Sequence, residues 1–278
     1  MKITAVFCDA GATNLLAHYL KNERIQFDCY AIGASKKILK KIFPKIKIKC
    51  KIDKNLLKNK ILITTTSIKN SFELTAKLNC KKHNIKIISV LDHWINYKLR
   101  FKVKNKIYLP DEIWVFDKYA KKLSMNIFPK SKIIQKKNYY FEYISNKINK
   151  NKNKNKILYI CEANQKLKNI FYTEKKNLIK IINKFKYDFK KDTKLLIKLH
   201  PNSKDIFVYK KIMKNLKFKN FNIIRNKGIE DVLSNAKKVI GVRTYGLYLA
   251  SQNSMKTYTL LKKQNFKKYI PYPNVKTL

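Results

Sequence analysis

Lys194-Leu-Leu-Ile-Lys-Leu-His-Pro201 reads as a buried strand that ends by delivering one histidine, His200, to a loop. Pro201 cannot donate to a sheet ladder and biases its predecessor to extended geometry, so the strand is predicted to stop here. Open α/β sheets bind ligands beyond the carboxyl ends of their strands, which makes His200 a candidate contact residue. The alternative is that His200 simply closes the strand.

Outward from this strand, short apolar runs alternate with amphipathic stretches. Strands are predicted at Ile157–Cys161, Phe221–Ile224, Val239–Val242 and Lys256–Leu260, and helices over Glu174–Tyr187, Ile229–Asn235 and Tyr245–Gln252. The first half repeats the grammar. Ile3–Cys8 is a strand, Asp9-Ala-Gly11-Ala-Thr13-Asn14 a tight turn and Leu15–Lys21 a helix. Further strands are predicted at Phe27–Ile32, Lys60–Thr64, Ile85–Leu91 and Glu112–Phe116, with a helix over Ser67–His83. The run Asn146-Lys-Ile-Asn-Lys-Asn-Lys-Asn-Lys-Asn-Lys156 is too polar to build a core and predicts a linker. The expected chain is α/β, with Rossmann-like domains at 1–145 and 157–278 joined by 146–156. Their parallel sheets are expected to face across a cleft that suits a nucleotide-bearing donor on one wall and an acceptor on the other.

The 278 residues, 45% hydrophobic and 12% aromatic, are enough for two cores. A formal net charge of +47 attracts polyanions whatever the fold. That charge is almost all lysine, scattered among isoleucines and asparagines as in proteins of AT-rich genomes, with arginine only at Arg24, Arg100, Arg225 and Arg243. A nucleic-acid reader clusters arginine for bidentate contacts, so no specific nucleic-acid partner is expected. Cysteines at 8, 29, 50, 80 and 161 are odd in number and lack a Cys-x-x-Cys pair. They argue for reduced thiols in a cytoplasmic protein and against a disulfide framework or zinc site. No window approaches the roughly 18 apolar residues of a membrane span, so any association with an anionic inner membrane face is expected to be peripheral.

Three stretches are candidates for chemistry. Gly11 lies in the first βα turn, where backbone approaches a phosphate or sugar most closely. The complete Gly-x-Gly-x-x-Gly fingerprint is missing, which excludes a tightly held NAD or FAD. Arg243-Thr244-Tyr245-Gly246 opens a helix after a strand and gathers a guanidinium, a hydroxyl and backbone donors at a positive helix end; plain capping by Thr244 is the alternative. Just upstream, Gly228-Ile-Glu230-Asp231 opens another helix, whose acids either complement its dipole or accept ribose hydroxyls. Asp92-His93-Trp94 emerges at a strand end, so Asp92 or His93 is a candidate general base. Trp94, Tyr97 and Phe101 form either a sugar platform or core, Arg100 is placed to clamp an acidic group, and Asp117 is read as a helix N-cap.

Taken in order, these stretches resemble the GT-B glycosyltransferase superfamily, and within it the bacterial sialyltransferase, polysialyltransferase and CDP-glycerol glycerophosphotransferase families. Leu199-His200-Pro201 is similar to their strand-terminal His-Pro, whose histidine contacts donor phosphate. Arg243-Thr244-Tyr245 is similar to their helix-start Ser/Thr motif, with one hydroxyl in place of two. Asp92-His93-Trp94 stands where their base motif stands, without its second acid and glycine. Together with Pro110-Asp-Glu-Ile-Trp-Val115, these motifs also look like those of uncharacterised proteins from bacterial surface-polysaccharide clusters.

The resemblance implies inverting, metal-independent transfer from a nucleotide-activated sugar, a CMP-sugar first, to a glycan or lipid-linked acceptor. Asp92 or His93 would take the acceptor proton, and His200 would contact the departing phosphate. It assigns the donor to Gly11, Lys198, His200, Pro201, Gly228, Glu230, Arg243, Thr244, Tyr245 and Gly246, and the acceptor to Thr13, Asn14, Trp94, Tyr97 and Arg100. No Asp-x-Asp metal motif occurs, and no cofactor is expected. The rival classes are a nucleotide-sugar epimerase or hydrolase on the same fold, and a non-catalytic polyanion-binding protein.

Overall fold

A computed structural model describes residues 2–68, 71–92, 94–103, 106–150, 154–162, 170–191, 193–200, 203, 206–262, 264 and 269–278, without the side chains of 149, 150, 170 and 171. His93 and Pro201 of the expected site lie outside the described residues. The chain divides into two compact units, 1–142 and 143–278.

In the first unit the chain runs β1 (Ile3–Phe7), α1 (Ala10–Asn22), β2 (Phe27–Ala31), α2 (Ala34–Ile42), β3 (Ile48–Lys49), β4 (Ile61–Thr64), α3 (Ser71–Lys82) and β5 (Lys86–Val90). It continues through α4 (Tyr97–Phe101), β6 (Lys102–Val103), β7 (Lys106–Ile107), β8 (Glu112–Val115), α5 (Lys118–Ile127) and β9 (Lys132–Gln135), and leaves along α6 (Tyr139–Lys150). Seven strands form one parallel sheet in the order β3-β2-β1-β4-β5-β8-β9. All five β1 residues are buried, as a central parallel strand requires. β6 and β7 stand apart as a two-stranded antiparallel hairpin.

The second unit holds β10 (Lys156–Ile160), α7 (Ile170–Lys184), α8 (Lys186–Lys190), β11 (Lys194–Lys198), α9 (Ile206–Asn215), β12 (Phe221–Ile224), α10 (Ile229–Leu233), β13 (Ala236–Gly241), α11 (Tyr245–Gln252), β14 (Lys256–Thr259) and β15 (Val275–Thr277). Its sheet is also parallel, in the order β12-β11-β10-β13-β14-β15. Lys256–Leu260 is therefore not the last strand: β15 pairs with β14 at the edge. On one sheet face Leu195, Ile197 and Leu199 join Tyr159, Leu178, Ile181, Tyr209 and Ile212 in a core; the intervening Lys198 belongs to the other face.

In both sheets the chain winds outward from its first strand in one direction and then returns to that strand's other side. This reversal leaves a topological switch point at β1/β4 and another at β10/β13, where open sheets take ligands. The expected 146–156 linker is corrected at its start. Helix α6 runs into the Lys/Asn tract as far as Lys150, because Ile144 and Ile148 lie one turn apart and are both fully buried.

Candidate functional site

At the β1/β4 switch point Asp9 follows β1 and caps α1: its Oδ1 accepts the amides of Gly11 at 2.9 Å and Ala12 at 3.1 Å. Asp92 arrives from the end of β5. Its Oδ1 receives Arg100 Nη1 at 2.7 Å, and Arg100 is fixed further by the Thr66 carbonyl at 2.7 Å. Both side chains of this ion pair are largely buried. Asp92 Oδ2 leans over the first turn of α1, so closely that a methyl group on Gly11 would overlap it. The close approach that glycine permits at position 11 is thus taken up by the protein's own carboxylate rather than left for a phosphate.

Asp9 and Asp92 therefore form a carboxylate pair, with the Arg100 guanidinium bound to Asp92. Burial, and then the charge of Asp92, push Asp9 up to about 7, while Arg100 and the Ala12 amide oppose the rise. Asp92 keeps the Arg100 guanidinium on its Oδ1. An acid raised in this way binds its proton in the folded chain at a pH where the unfolded chain has released it. Its stabilising contribution is present below 3.8 and is lost as pH rises through about 7. The stability of Asp9→Asn relative to wild type should accordingly rise between those values and level off above them. Denaturant unfolding of both proteins across that range is the measurement, and a pH-independent difference would contradict the shared proton.

A second polar group supports the turn. Glu73 on α3 is buried and accepts Thr65 Oγ1 at 2.5 Å, the Ser67 amide at 2.9 Å and Ser67 Oγ at 2.8 Å. Thr65 Oγ1 in turn accepts the Cys8 amide at 2.9 Å, tying the residue before Asp9 to β4. Burial lowers the neighbouring Lys77 ammonium, with Glu73 and Cys8 opposing, and raises the Cys8 thiol.

Most of the expected acceptor set is structural. Trp94, Tyr97 and Phe101 are all buried: Tyr97 and Phe101 share one side of α4, and Trp94 packs inward from the turn before it. Trp94 Nε1 donates to Asp117, which caps α5 as expected. Thr13 is spent on the Asp9 carbonyl and Ser35, and Asn14 on the Ala10 carbonyl. Arg100 holds Asp92 instead of clamping an external acid.

In the second unit His200 follows β11, and Lys198 sits two residues earlier on the same sheet face. Lys198 Nζ donates to the Leu199 carbonyl at 2.9 Å and the Arg225 carbonyl at 3.0 Å, tying the end of β11 to that of β12. Burial lowers Lys198, and burial together with the Lys198 charge lowers His200. Both causes favour the neutral imidazole of His200. Thr244 Oγ1 caps α11 by accepting the Gly246 amide at 3.1 Å, and Gly246 lets the helix start pack on Ile160. Tyr245 stacks near Tyr248. Gly228 caps α10, and the Glu230 carboxylate folds back over it, which is the dipole-complementing alternative.

Arg243 is already engaged at the β10/β13 switch point. Glu162, just after β10, accepts the Arg243 amide at 2.9 Å and lies 3.4 Å from its Nε. The guanidinium also covers the Tyr269 ring at 5.2 Å. Burial raises the Glu162 carboxyl, with Arg243 opposing. The sequence reading missed Asp9, Glu73 and Glu162; the available signal was an acid directly following, or one helix away from, each central strand.

No protein-family model matches the chain, and no curated protein matches it by sequence. Solved structures do resemble it over nearly its whole length. The UDP-GlcNAc 2-epimerase of Methanocaldococcus jannaschii in complex with UDP-GlcNAc and UDP superimposes with a TM-score of 0.71 at 13% identity, over 100% of this chain and 89% of that one. The Neisseria meningitidis UDP-GlcNAc 2-epimerase bound to UDP-GlcNAc gives 0.69 at 14% identity, over 99% and 87%. A variant of the wall teichoic acid polymerase TagF gives 0.52 at 11% identity, over 96% and 72%. At these identities the likeness is one of fold: the chain has the GT-B fold, with two Rossmann-like units each built on a parallel sheet.

Proposed function

We propose that the chain is an enzyme acting on a nucleotide-activated sugar, with the nucleotide held by the second unit and proton transfer supplied by the first. The observation that carries this reading is the Asp9–Asp92–Arg100 group, two neighbouring carboxylates at a switch point, one of which is raised by burial and by the other. General acid–base chemistry needs an acid that titrates near neutrality, and acids shifted in this way cluster at functional sites. In the transfer reading, ionised Asp92 takes the proton of an acceptor hydroxyl as that oxygen bonds to the anomeric carbon. The bond from that carbon to the phosphate oxygen breaks with its electron pair, and the nucleotide leaves. The neutral His200 and the start of α11 would then hold the nucleotide phosphate. A glycan or lipid-linked acceptor is the proposed partner of the first unit.

Epimerisation is the second reading, favoured by the fact that the pair holds an acid and a base side by side. Inverting a sugar carbon takes a proton from one face and returns one to the other, so the pair would serve one of the two faces. The neighbours' bound ligands support a UDP-sugar as the first donor to test, ahead of the CMP-sugar suggested by the sequence.

A panel of UDP-, CMP-, CDP- and GDP-sugars screened by thermal shift tests the common part. A ligand at 100 times its Kd adds about 2.7 kcal/mol to the native state. UDP-sugars should raise the melting temperature of wild type, and of His200→Ala by clearly less. If no nucleotide sugar stabilises the protein, the reading fails. With the stabilising donor alone, release of a C2 epimer without acceptor selects epimerisation, and nucleotide release only with acceptor selects transfer.

A further inference from the structure

The β6–β7 pair and the helix leading into it carry an unusual surface. In α4, Tyr97, Arg100 and Phe101 turn inward, which leaves Lys98 and Leu99 outward. Ile107 ends β7, and Tyr108 and Leu109 follow it. Lys102 pairs with Ile107 and Val103 with Lys106, and the Tyr108 amide donates to the Phe101 carbonyl at 2.9 Å, so the end of α4 and the segment after β7 are held together. Lys81 at the end of α3 covers the Tyr108 ring at 5.6 Å, which brings Leu78, one turn earlier, to the same edge. Leu78, Leu99, Ile107, Tyr108 and Leu109 are 37–48% exposed. The exposed charges among them are Lys81, Lys82, Lys98, Lys102 and Lys106, and no acidic residue occurs between Asp92 and Asp111.

We propose that this face docks on an anionic lipid bilayer, with Leu99, Ile107 and Leu109 entering the headgroup boundary and the lysines meeting lipid phosphates. Charge complementarity favours lipid over a protein partner. Lysines whose stems run beside apolar side chains while their ammonium groups stay in water suit a lipid interface. Each basic residue near such a surface adds about 1 kcal/mol of attraction. Elsewhere among the described residues the exposed large apolar side chains, such as Met125, Tyr172, Tyr187 and Phe207, stand apart from one another in sequence, whereas Ile107, Tyr108 and Leu109 are consecutive. Among the described residues no helix is long and apolar enough to cross a membrane, and the docking proposed is peripheral. It holds whichever reaction the chain catalyses.

The test is co-sedimentation of the full chain with phosphatidylglycerol–phosphatidylcholine vesicles and with pure phosphatidylcholine vesicles at about 0.15 M salt, where general attraction is screened within about 8 Å. The comparison is Leu99→Ser/Ile107→Ser/Leu109→Ser, which leaves every charge in place and removes only exposed side chains. Wild type should bind the anionic vesicles, and the triple variant at least about tenfold more weakly, the loss of even one partly inserted side chain. Equal binding of the two proteins would mean that scattered lysine charge alone is responsible, and the proposal would be wrong. It would be equally wrong if wild type failed to bind, or if the triple substitution turned a dimer into a monomer in sedimentation velocity, which would assign the face to a second copy of the chain.

Discussion

Asp92→Asn is expected to lower turnover by about 10²–10⁴-fold, the usual contribution of a positioned general base. The substitution keeps the shape of the side chain, and its amide oxygen can still accept Arg100 Nη1, so the β5 end and α1 should stay where they are. What disappears is the site for a proton. Nucleotide affinity should change little, because the groups proposed to hold phosphate belong to the other unit. Single-turnover kinetics alongside thermal shift with the donor separate these effects. If the Asp92→Asn variant turns over at the wild-type rate, the base lies elsewhere; His93, which the sequence paired with Asp92, would be the next residue to substitute.

Arg100→Met is expected to cost about 3–5 kcal/mol of stability, the typical penalty for stripping one partner from a buried ion pair. Three acceptors lose their donor at once: Asp92 Oδ1, the Thr66 carbonyl and Thr66 Oγ1. Methionine fills much of the same volume, so the cost arises from uncompensated charge rather than from a cavity. The double variant Arg100→Met/Asp92→Asn removes that charge as well and should recover part of the loss. Denaturant unfolding of the two single variants and the double variant forms a cycle, and strictly additive losses would show that the two side chains do not interact.

The alternation of strands and helices was legible in the sequence because each central strand is an unbroken apolar run, and so were the strand ends that deliver Asp92 and His200. The edge strands β3, β9 and β15 were not, since two to four half-polar residues carry little periodicity. The aromatic trio Trp94, Tyr97 and Phe101 had two readings, and packing buries all three. Asp9 was hidden for a different reason. An aspartate before a helix is an ordinary cap, and only the arrival of Asp92, from a strand several elements later, turns it into half of an acid pair. Glu162 was hidden in the same way, since its partner Arg243 lies on the far side of the switch point. Contacts between the turns of different βα units leave no local trace, and the candidate site is built from them.

The overlap that a methyl at position 11 would make with Asp92 has a consequence for descent. A lineage that replaces this glycine must first shorten or move the side chain at 92, and one that loses the acid frees position 11 to accept any small residue. Two positions in distant parts of the chain thus form a single inherited character.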